Sequence, residues 1–355
     1  MGTLFIDRKE LHIRLDGQAL AFYVNDVREG AVPIKPLQRV VIAGNILIDA
    51  AVLHRLADEN ISVLFLSGKR QQFKGILHGR LHKNGLLRIR QYQKSLTSFS
   101  LEMAKEIVER KLAGQRNFLN YAMSERPDLR KILFNAVEVL DKIIDSKFNI
   151  QDSKAKDEEV NIELESLRGY EGGAAAAYFR AYTSLFPESL NFNGRNKRPP
   201  TDPVNAMLSL TYTLLHFEIV REIETIGLDP VIGFYHQFEY GRESLACDLI
   251  EPYRPQVDKW IWEIFRKRVF ISRDFAEGDE RPGCYLKKNS RGEFYKLYEE
   301  WMANIRPMIV KDAQDLARRI MDGAEPYSEQ KPLSIREEGN DSKEGRPIPM
   351  DKGER

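Results

Sequence analysis

Two cysteines in 355 residues, Cys247 and Cys284, are too few for a disulfide framework and lack the paired spacing of a zinc site. A reducing compartment suits such a chain. No apolar run approaches the length needed to cross a bilayer. The opening segment, MGTLFIDRKELHIRLDG, is charged from Asp7 onward, has no apolar signal core, and places Ile6 where a myristoylation motif wants Ser or Thr. A soluble, cytoplasmic protein with no membrane partner is expected. Several chemistries lack their signatures. There is no G-x-x-x-x-G-K-[ST], no G-x-G-x-x-G after a strand, no G-x-S-x-G and no H-E-x-x-H. Phosphate-loop nucleotide hydrolysis, hydride transfer and serine hydrolase chemistry are therefore unsupported. An excess of either charge is missing too. Lys and Arg number 54 against 53 Asp and Glu, a net charge of +1, so any nucleic-acid footprint must be local. No internal repeat of a solenoid period occurs.

What is present changes character along the chain. TLFID, LHIRLD and QALAFYV are short, β-favouring runs separated by charged or Gly-containing turns, and PLQRVVIAG adds another apolar run. LIDAAVLHRLADEN has helical spacing at Leu47, Ala51, Leu53 and Leu56, and the strand-like SVLFL and FKGIL follow. These residues read as a β-rich domain with one inserted helix. Beyond it, 98–122 and 127–145 carry apolar residues at i, i+3 and i+4. Residues 151–162 read as an exposed connection, with further helices at about 163–187, 203–226, 243–272 and 293–322. TDPVNAMLSL has a helix start, with Asp202 as N-cap and Pro203 at the first helical position. The charged, Pro- and Gly-rich tail is expected to be disordered.

The chemistry-bearing residues are scattered. GFYHQFEYGRESLACDLIEPYRP places His236 after an apolar segment and Asp248 and Glu251 twelve to fifteen residues later. Three apart, those carboxylates share a helical face, which serves equally as a ligand pair or as a solvated edge pairing with Arg254. Pro252 biases Glu251 away from the helical region, so this carboxylate is expected to close its helix. Upstream, SLRGYEGGAAAAYF sets Glu171 among small residues. Two glycines cost a helix about 1 kcal/mol each relative to Ala, and close approach of another element or of a bulky ligand would explain them. One imidazole with two or three carboxylates is a hard, oxygen-rich set suited to Mg²⁺ or Mn²⁺, and such a site cuts or joins phosphodiesters without a protein nucleophile. A packed core histidine and a solvent-facing Glu171 are the plainer readings of the same residues. From Lys69 to Lys94 the chain has eight Lys or Arg and no Asp or Glu, interleaved with His78, His82 and Tyr92. Arg80, Lys83, Arg88 and Arg90 of this stretch form a candidate phosphate track. Two further basic sets follow: Arg195, Lys197 and Arg198, and then Arg266, Lys267, Arg268 and Arg273. Solubility alone would also account for each set.

The order of four blocks carries a resemblance. SLRGYEGGAAAAYF, RPPTDPVNAMLSLTYTLL, GLDPVIGFYHQ and ESLACDLIEPYRPQVD follow a β-rich region in sequence. Over residues 1 to about 322 the chain resembles the CRISPR-associated adaptation integrase/endonuclease, the universal "Cas-one" family. That resemblance implies an α+β protein in three parts: a β-rich, sandwich-like dimerisation domain (1–92), an all-α catalytic domain (93–325), and a charged tail (326–355) outside the likeness. It implies that Glu171, His236 and Glu251 hold a divalent metal, Mg²⁺ or Mn²⁺, and act as the catalytic residues. Asp248 then falls on an auxiliary ligand or a group behind the ligands, and Asn205 and Arg254 on positioning residues.

The implied activity is insertion of short foreign DNA fragments into the CRISPR array, the fragment's 3′-hydroxyl attacking a repeat phosphodiester. The implied partners are prespacer and repeat DNA, a second copy of the chain, and a small adaptation protein that completes a heterohexameric complex. A linked reverse transcriptase is left open. Alternatives from other classes are a catalytically inactive DNA-binding scaffold, and a structural Zn²⁺ or Fe²⁺ protein, which would need soft or second-histidine ligands that are absent.

Overall fold

The computed structural model describes residues 2–68, 71–79, 84–146, 157–196, 199–236, 238–277 and 283–322. Its strands occupy the first part of the chain. β1 (Thr3–Ile6), β2 (Leu11–Asp16), β3 (Ala19–Val24) and β4 (Val27–Pro33) are followed by β5 (Arg39–Ala43) and β6 (Leu47–Ile48). Two tight turns fold β2 to β4 into a meander. Gly17 has φ +58° at the first position of the β2–β3 turn, and Asn25 and Asp26 both take positive φ between β3 and β4. Two consecutive positive-φ residues are what a two-residue hairpin turn of matching twist demands, and Asn and Asp tolerate them. That Asn-Asp pair is the sequence signal for β4, whose own residues, VREGAVP, are mostly exposed and weakly β-forming. The sheet order is β4-β3-β2-β6.

Helix α1 (Ala50–Asp58) leads to β7 (Ser62–Leu66) and β8 (Phe73–Leu77), and a second sheet forms in the order β1-β5-β7-β8. β1, β5 and β7 run parallel, and β8 is antiparallel. This sheet is a wall with a core on each face. In the fully buried β5, Val40 and Ile42 pack with Ile13, Leu20, Val52 and Leu56 on one side, while Val41 and Ala43 join the helical core on the other. β7 divides the same way, Val63 to the first core and Leu64 and Leu66 to the second. The two-residue side-chain period of a strand thus joins the β-rich part to the helices across a shared sheet.

The helical part holds α2 (Gly85–Ser95), α3 (Phe99–Glu125), α4 (Arg130–Asp145), α5 (Asp157–Ser184), α6 (Pro203–Ile226), α7 (Ser244–Ile250), α8 (Arg254–Arg266) and α9 (Lys288–Met321). The expected helix at 243–272 is interrupted by a single 3₁₀ turn, Glu251–Tyr253, between α7 and α8. α2 lies inside the basic stretch and straddles the expected boundary at 92. A short hairpin, β9 (Phe275–Glu277) with β10 (Cys284–Leu286), adds strand to a region whose periodicity suggested only helices. The tail at 326–355 lies outside the described residues. α6 starts as expected, with the Asp202 side chain accepting from the Asn205 amide at 2.8 Å and Pro203 in the first turn. The other Asp202 oxygen accepts from Asn205 Nδ2 at 2.6 Å. Asp202→Ala should therefore cost about 1–2 kcal/mol, the upper part of the usual N-cap range, measured by urea unfolding. A loss near zero would show that this cap does not hold α6.

Candidate active site

His236 ends a loop that is held from both sides. α6 stops at Gly227, which takes the left-handed conformation at φ 98°. Beyond it the buried Gln91 of α2 donates to the carbonyls of Asp229 (2.8 Å) and Ile232 (2.7 Å) and accepts from the Asp229 amide at 2.8 Å. From the other side comes Asp248 of α7, fully buried. Its Oδ2 accepts from the amides of Phe234 (2.6 Å) and Tyr235 (3.0 Å), and its Oδ1 from the His236 amide at 2.8 Å. Gly233 makes this approach possible, because a Cβ there would lie 2.7 Å from Asp248 Oδ2 and 2.8 Å from the Ser244 backbone. Asp248 Oδ1 also faces His236 Nδ1 at 2.7 Å. An ionised carboxylate only accepts, so Nδ1 carries the proton and the Nε2 lone pair is left for another group. Both Asp248 oxygens are thus engaged, by three backbone amides and the imidazole.

The two glutamates come from different elements and converge on a cation that the spacing of the motifs did not reveal. Lys111, on the buried face of α3, forms ion pairs with Glu171 Oε1 of α5 and, at 2.6 Å, with Glu251 Oε2. Tyr235 donates its hydroxyl to Glu171 Oε2 at 2.5 Å, and Arg254 Nε donates to Glu251 Oε1 at 2.7 Å. Burial opposes ionisation of Glu251, which is 4% exposed, but Arg254 and Lys111 outweigh it and draw the carboxyl down to about 2. Burial lowers the Lys111 ammonium, and the facing Glu251 and Glu171 more than reverse it, so its pKa is raised. Burial first and then Glu171 raise the Tyr235 phenol, keeping it a donor. Glu251 itself is helical, with φ −55° and ψ −45°, against the bias expected before Pro252. The chain there runs through the 3₁₀ turn, whose first turn accommodates a residue without an N–H.

Behind Arg254 the packing is aromatic and acidic. Its guanidinium lies 4.8 Å from the centre of the Tyr212 ring, and Tyr212 donates to the buried Asp258 at 2.6 Å, as Tyr178 does at 2.8 Å. Arg195 also covers Tyr212, at 5.5 Å, and donates to Asn205 Oδ1 at 2.7 Å. Asn205 is fully buried and pins the 194–196 segment through Gly194 O and the Asn196 amide. Arg195 and Arg254 thus lie against the same ring, Tyr212. The guanidinium of Arg195, read above as one of a separate basic set with Lys197 and Arg198, is engaged by internal partners.

The other basic candidates are dispersed. Arg88 reaches Gly227 O at 3.3 Å, and Arg90 reaches Gln93 at 3.4 Å. Arg266 pairs with Glu125 beside Trp262, and Arg268 is exposed with φ 55°. Arg80, Lys83, Lys197 and Arg198 lie outside the described residues. The glycines beside Glu171 find no close neighbour either. A Cβ at Gly172 or Gly173 meets nothing within 4 Å, so packing of another described element does not explain them. They leave an open face next to the carboxylate.

Glu171, Glu251 and His236 thus border one site, yet among the described residues no three His, Cys, Asp or Glu side chains stand close enough to grip one metal ion. Lys111 stands between the two glutamates instead. The donor set still fits a hard divalent cation, with two carboxylates and one neutral imidazole nitrogen. The Lys111 ammonium, 2.6 Å from Glu251 Oε2 and paired with Glu171 Oε1, marks where a cation fits between the two carboxylates. Lys111 was legible in one respect. It occupies a core position of the stripe Ile107, Val108, Leu112 and Gln115, where a lone Lys needs an anionic partner.

A β wall backed by helices that enclose a carboxylate–imidazole site defines the class of protein. The family model described as CRISPR associated protein Cas1 matches residues 4–300, and the chain belongs to the Cas1 family. It is 51% identical over 322 residues to a CRISPR-associated endonuclease Cas1 of Thermodesulfovibrio yellowstonii, covering 91% of this chain and 98% of that one. A second relative, a CRISPR-associated endonuclease Cas1 of Thermus thermophilus, is 31% identical, with 84% of each chain covered. The fold is shared with a Cas1 protein from Thermotoga maritima (TM-score 0.75, 21% identity, 92% of this chain and 100% of that one). It is shared equally with a casposase bound to integration product (TM-score 0.75, 20% identity, 96% of each).

The charge pairing predicts how stability depends on pH. Glu251→Gln leaves Lys111 and Arg254 without their shared anion and should cost about 3 kcal/mol or more near neutrality. Because the native carboxyl titrates at about 2 and its ordinary value is 4.5, that deficit should be full above pH 4.5 and shrink as the pH falls toward 2. Denaturant melts of the metal-free protein across this range measure it, and a deficit independent of pH would overturn the pairing.

Proposed function

We propose that the chain is a metal-dependent DNA endonuclease and strand-transfer integrase of CRISPR adaptation. The observation that carries this reading is the convergence of Glu171 and Glu251 beside an imidazole whose free nitrogen is fixed by Asp248. Glu171, His236 Nε2 and Glu251 would hold Mg²⁺ or Mn²⁺, which when bound supplies Lewis-acid polarisation of a phosphate oxygen. Asp248 keeps the imidazole in its Nδ1–H tautomer. Arg254, stacked on Tyr212, holds Glu251 in place and keeps it ionised, and Tyr235 holds Glu171. The open glycine face of α5 gives a DNA backbone room beside Glu171.

In the joining reaction the 3′-hydroxyl of a short fragment attacks a repeat phosphorus. One P–O bond forms and one breaks, the attacking hydroxyl loses its proton, and the departing 3′-oxygen gains one. Water in the attacking position gives hydrolysis instead, so one site serves both activities. DNA, a second copy of the chain and a small adaptation protein are the proposed partners, in the cytoplasm. The fold likeness to a chain of a Cas6-RT-Cas1–Cas2 complex supports that setting (TM-score 0.72, 23% identity, 90% of this chain and 34% of that one), and it keeps a reverse transcriptase among the candidates. No helix among the described residues is long and apolar enough to cross a membrane.

Glu171→Gln, His236→Ala and Glu251→Gln should each lower Mg²⁺- or Mn²⁺-dependent strand transfer by about 100-fold or more, with DNA retention in a filter assay changed only a few fold. Wild-type transfer in all three would remove the site; loss of retention in all three would point to a DNA-binding role for these residues. Charge reversal at Arg88 and Arg90, the described two of the four track candidates Arg80, Lys83, Arg88 and Arg90, should weaken binding at every sequence and flatten its salt dependence by about one unit of slope per lost phosphate contact. An unchanged slope would exclude that track.

A further inference from the structure

Lys111 is a charged side chain with two carboxylate partners and no assigned task. Its stem rises from the core face of α3 between Val108 and Leu112, and only 10% of its side chain is exposed. Its ammonium sits where Glu171 Oε1 and Glu251 Oε2 converge. Arg254 approaches Glu251 from the opposite oxygen, and Tyr235 approaches the opposite oxygen of Glu171. Each carboxylate thus has one oxygen held by a fixed donor and one turned toward Lys111. Arg254 is pinned by its stack on Tyr212. Lys111 is a point charge on a flexible four-carbon stem, the cation better able to withdraw.

We propose that Lys111 is a built-in competitor for the cation of this site. It holds Glu171 and Glu251 convergent while no divalent ion is bound, and it sets the divalent concentration at which they are released to one. The inference rests on the metal-dependent reading above. Its physical basis is that two facing carboxylates, one of them buried, cannot stay ionised and convergent without a cation between them. An ammonium anchored in α3 supplies that cation in the metal-free protein, so a metal must displace it. Affinity is then lower than the bare ligand set would give, and the ligands stay arranged in the metal-free protein.

The test is Mn²⁺ titration of the chelator-stripped full chain, with free Mn²⁺ read by electron paramagnetic resonance and melting temperature followed in parallel. Lys111→Gln should bind Mn²⁺ at least about tenfold more tightly than wild type. It should also melt lower without metal and regain its transition as Mn²⁺ is added. Lys111→Arg, which keeps the charge, should bind no more tightly than wild type. If Lys111→Gln does not fold without metal, recovery of a cooperative melt on adding Mn²⁺ supports the proposal, and failure to recover overturns it. Equal or weaker Mn²⁺ binding by folded Lys111→Gln overturns it as well. Glu251→Gln separates the two levels. If that variant loses Mn²⁺ while Lys111→Gln matches wild type, only the competitor role falls. If Glu251→Gln binds as wild type does, or if neither wild type nor Lys111→Gln binds Mn²⁺, the metal site falls with it.

Discussion

A carboxylate with 4% of its surface exposed stays ionised only where cations meet it, and the placement of Glu251 between Lys111 and Arg254 organises much of this molecule. Lys111 belongs to α3, Glu171 to α5, and Glu251 to the turn between α7 and α8, so one charge cluster ties these helices together. From Arg254 the constraint passes to Tyr212, then to the buried Asp258, and from there to Tyr178. Tyr178 in turn packs against Phe118, which meets Trp262. Site and core are therefore one packed object. A change at any link transmits to the carboxylate, because a close-packed interior does not deform freely.

The second constraint is the shared sheet. A strand buried on both faces must be apolar at every position, and RVVIA meets that demand apart from its first residue. Arg39 is the exception, and its charge is answered on the helical side of the sheet by Glu218 of α6, which also binds Arg306 of α9. The same rule governs both places, since each buried charge is matched by a partner from a distant element. Because the β-rich part and the helices share β5 and β7, neither core is complete without that sheet.

Where a local rule decided the structure, the sequence was readable. α6 runs from Pro203 to Ile226, as its N-cap and apolar pattern predict, and β2 coincides with LHIRLD. Where tertiary partners decided it, the sequence was opaque. β4 is held by its hairpin turn and its pairing with β3, and α2 is polar on much of its surface, so neither has a strong apolar period. Asp248 and Glu251 are equivalent by spacing, yet one is consumed by three backbone amides and an imidazole and the other faces two cations. Only the loop passing over Gly233 distinguishes them. Lys111 lies sixty residues from Glu171 and 140 from Glu251, and no motif connects them. The glycines after Glu171 are unusual for a helix, but among the described residues no packing neighbour meets them.

The charge count at the site bears on why a cation belongs to the proposed chemistry at all. Glu171 and Glu251 are balanced by Lys111 and Arg254, and Asp248 is engaged behind the imidazole by the backbone amides it accepts from. Such a cluster offers little net attraction to a phosphodiester, and the chain's overall charge of +1 adds none at long range. On the proposed reading, a divalent ion adds two positive charges beside the open face of α5, while the ammonium that yields its place stays on the same four-carbon stem. The region then becomes positive just where a phosphate would lie, and it does so only when the metal is present. Preorganised positive charge at a developing phosphorane is the usual source of rate in phosphoryl transfer.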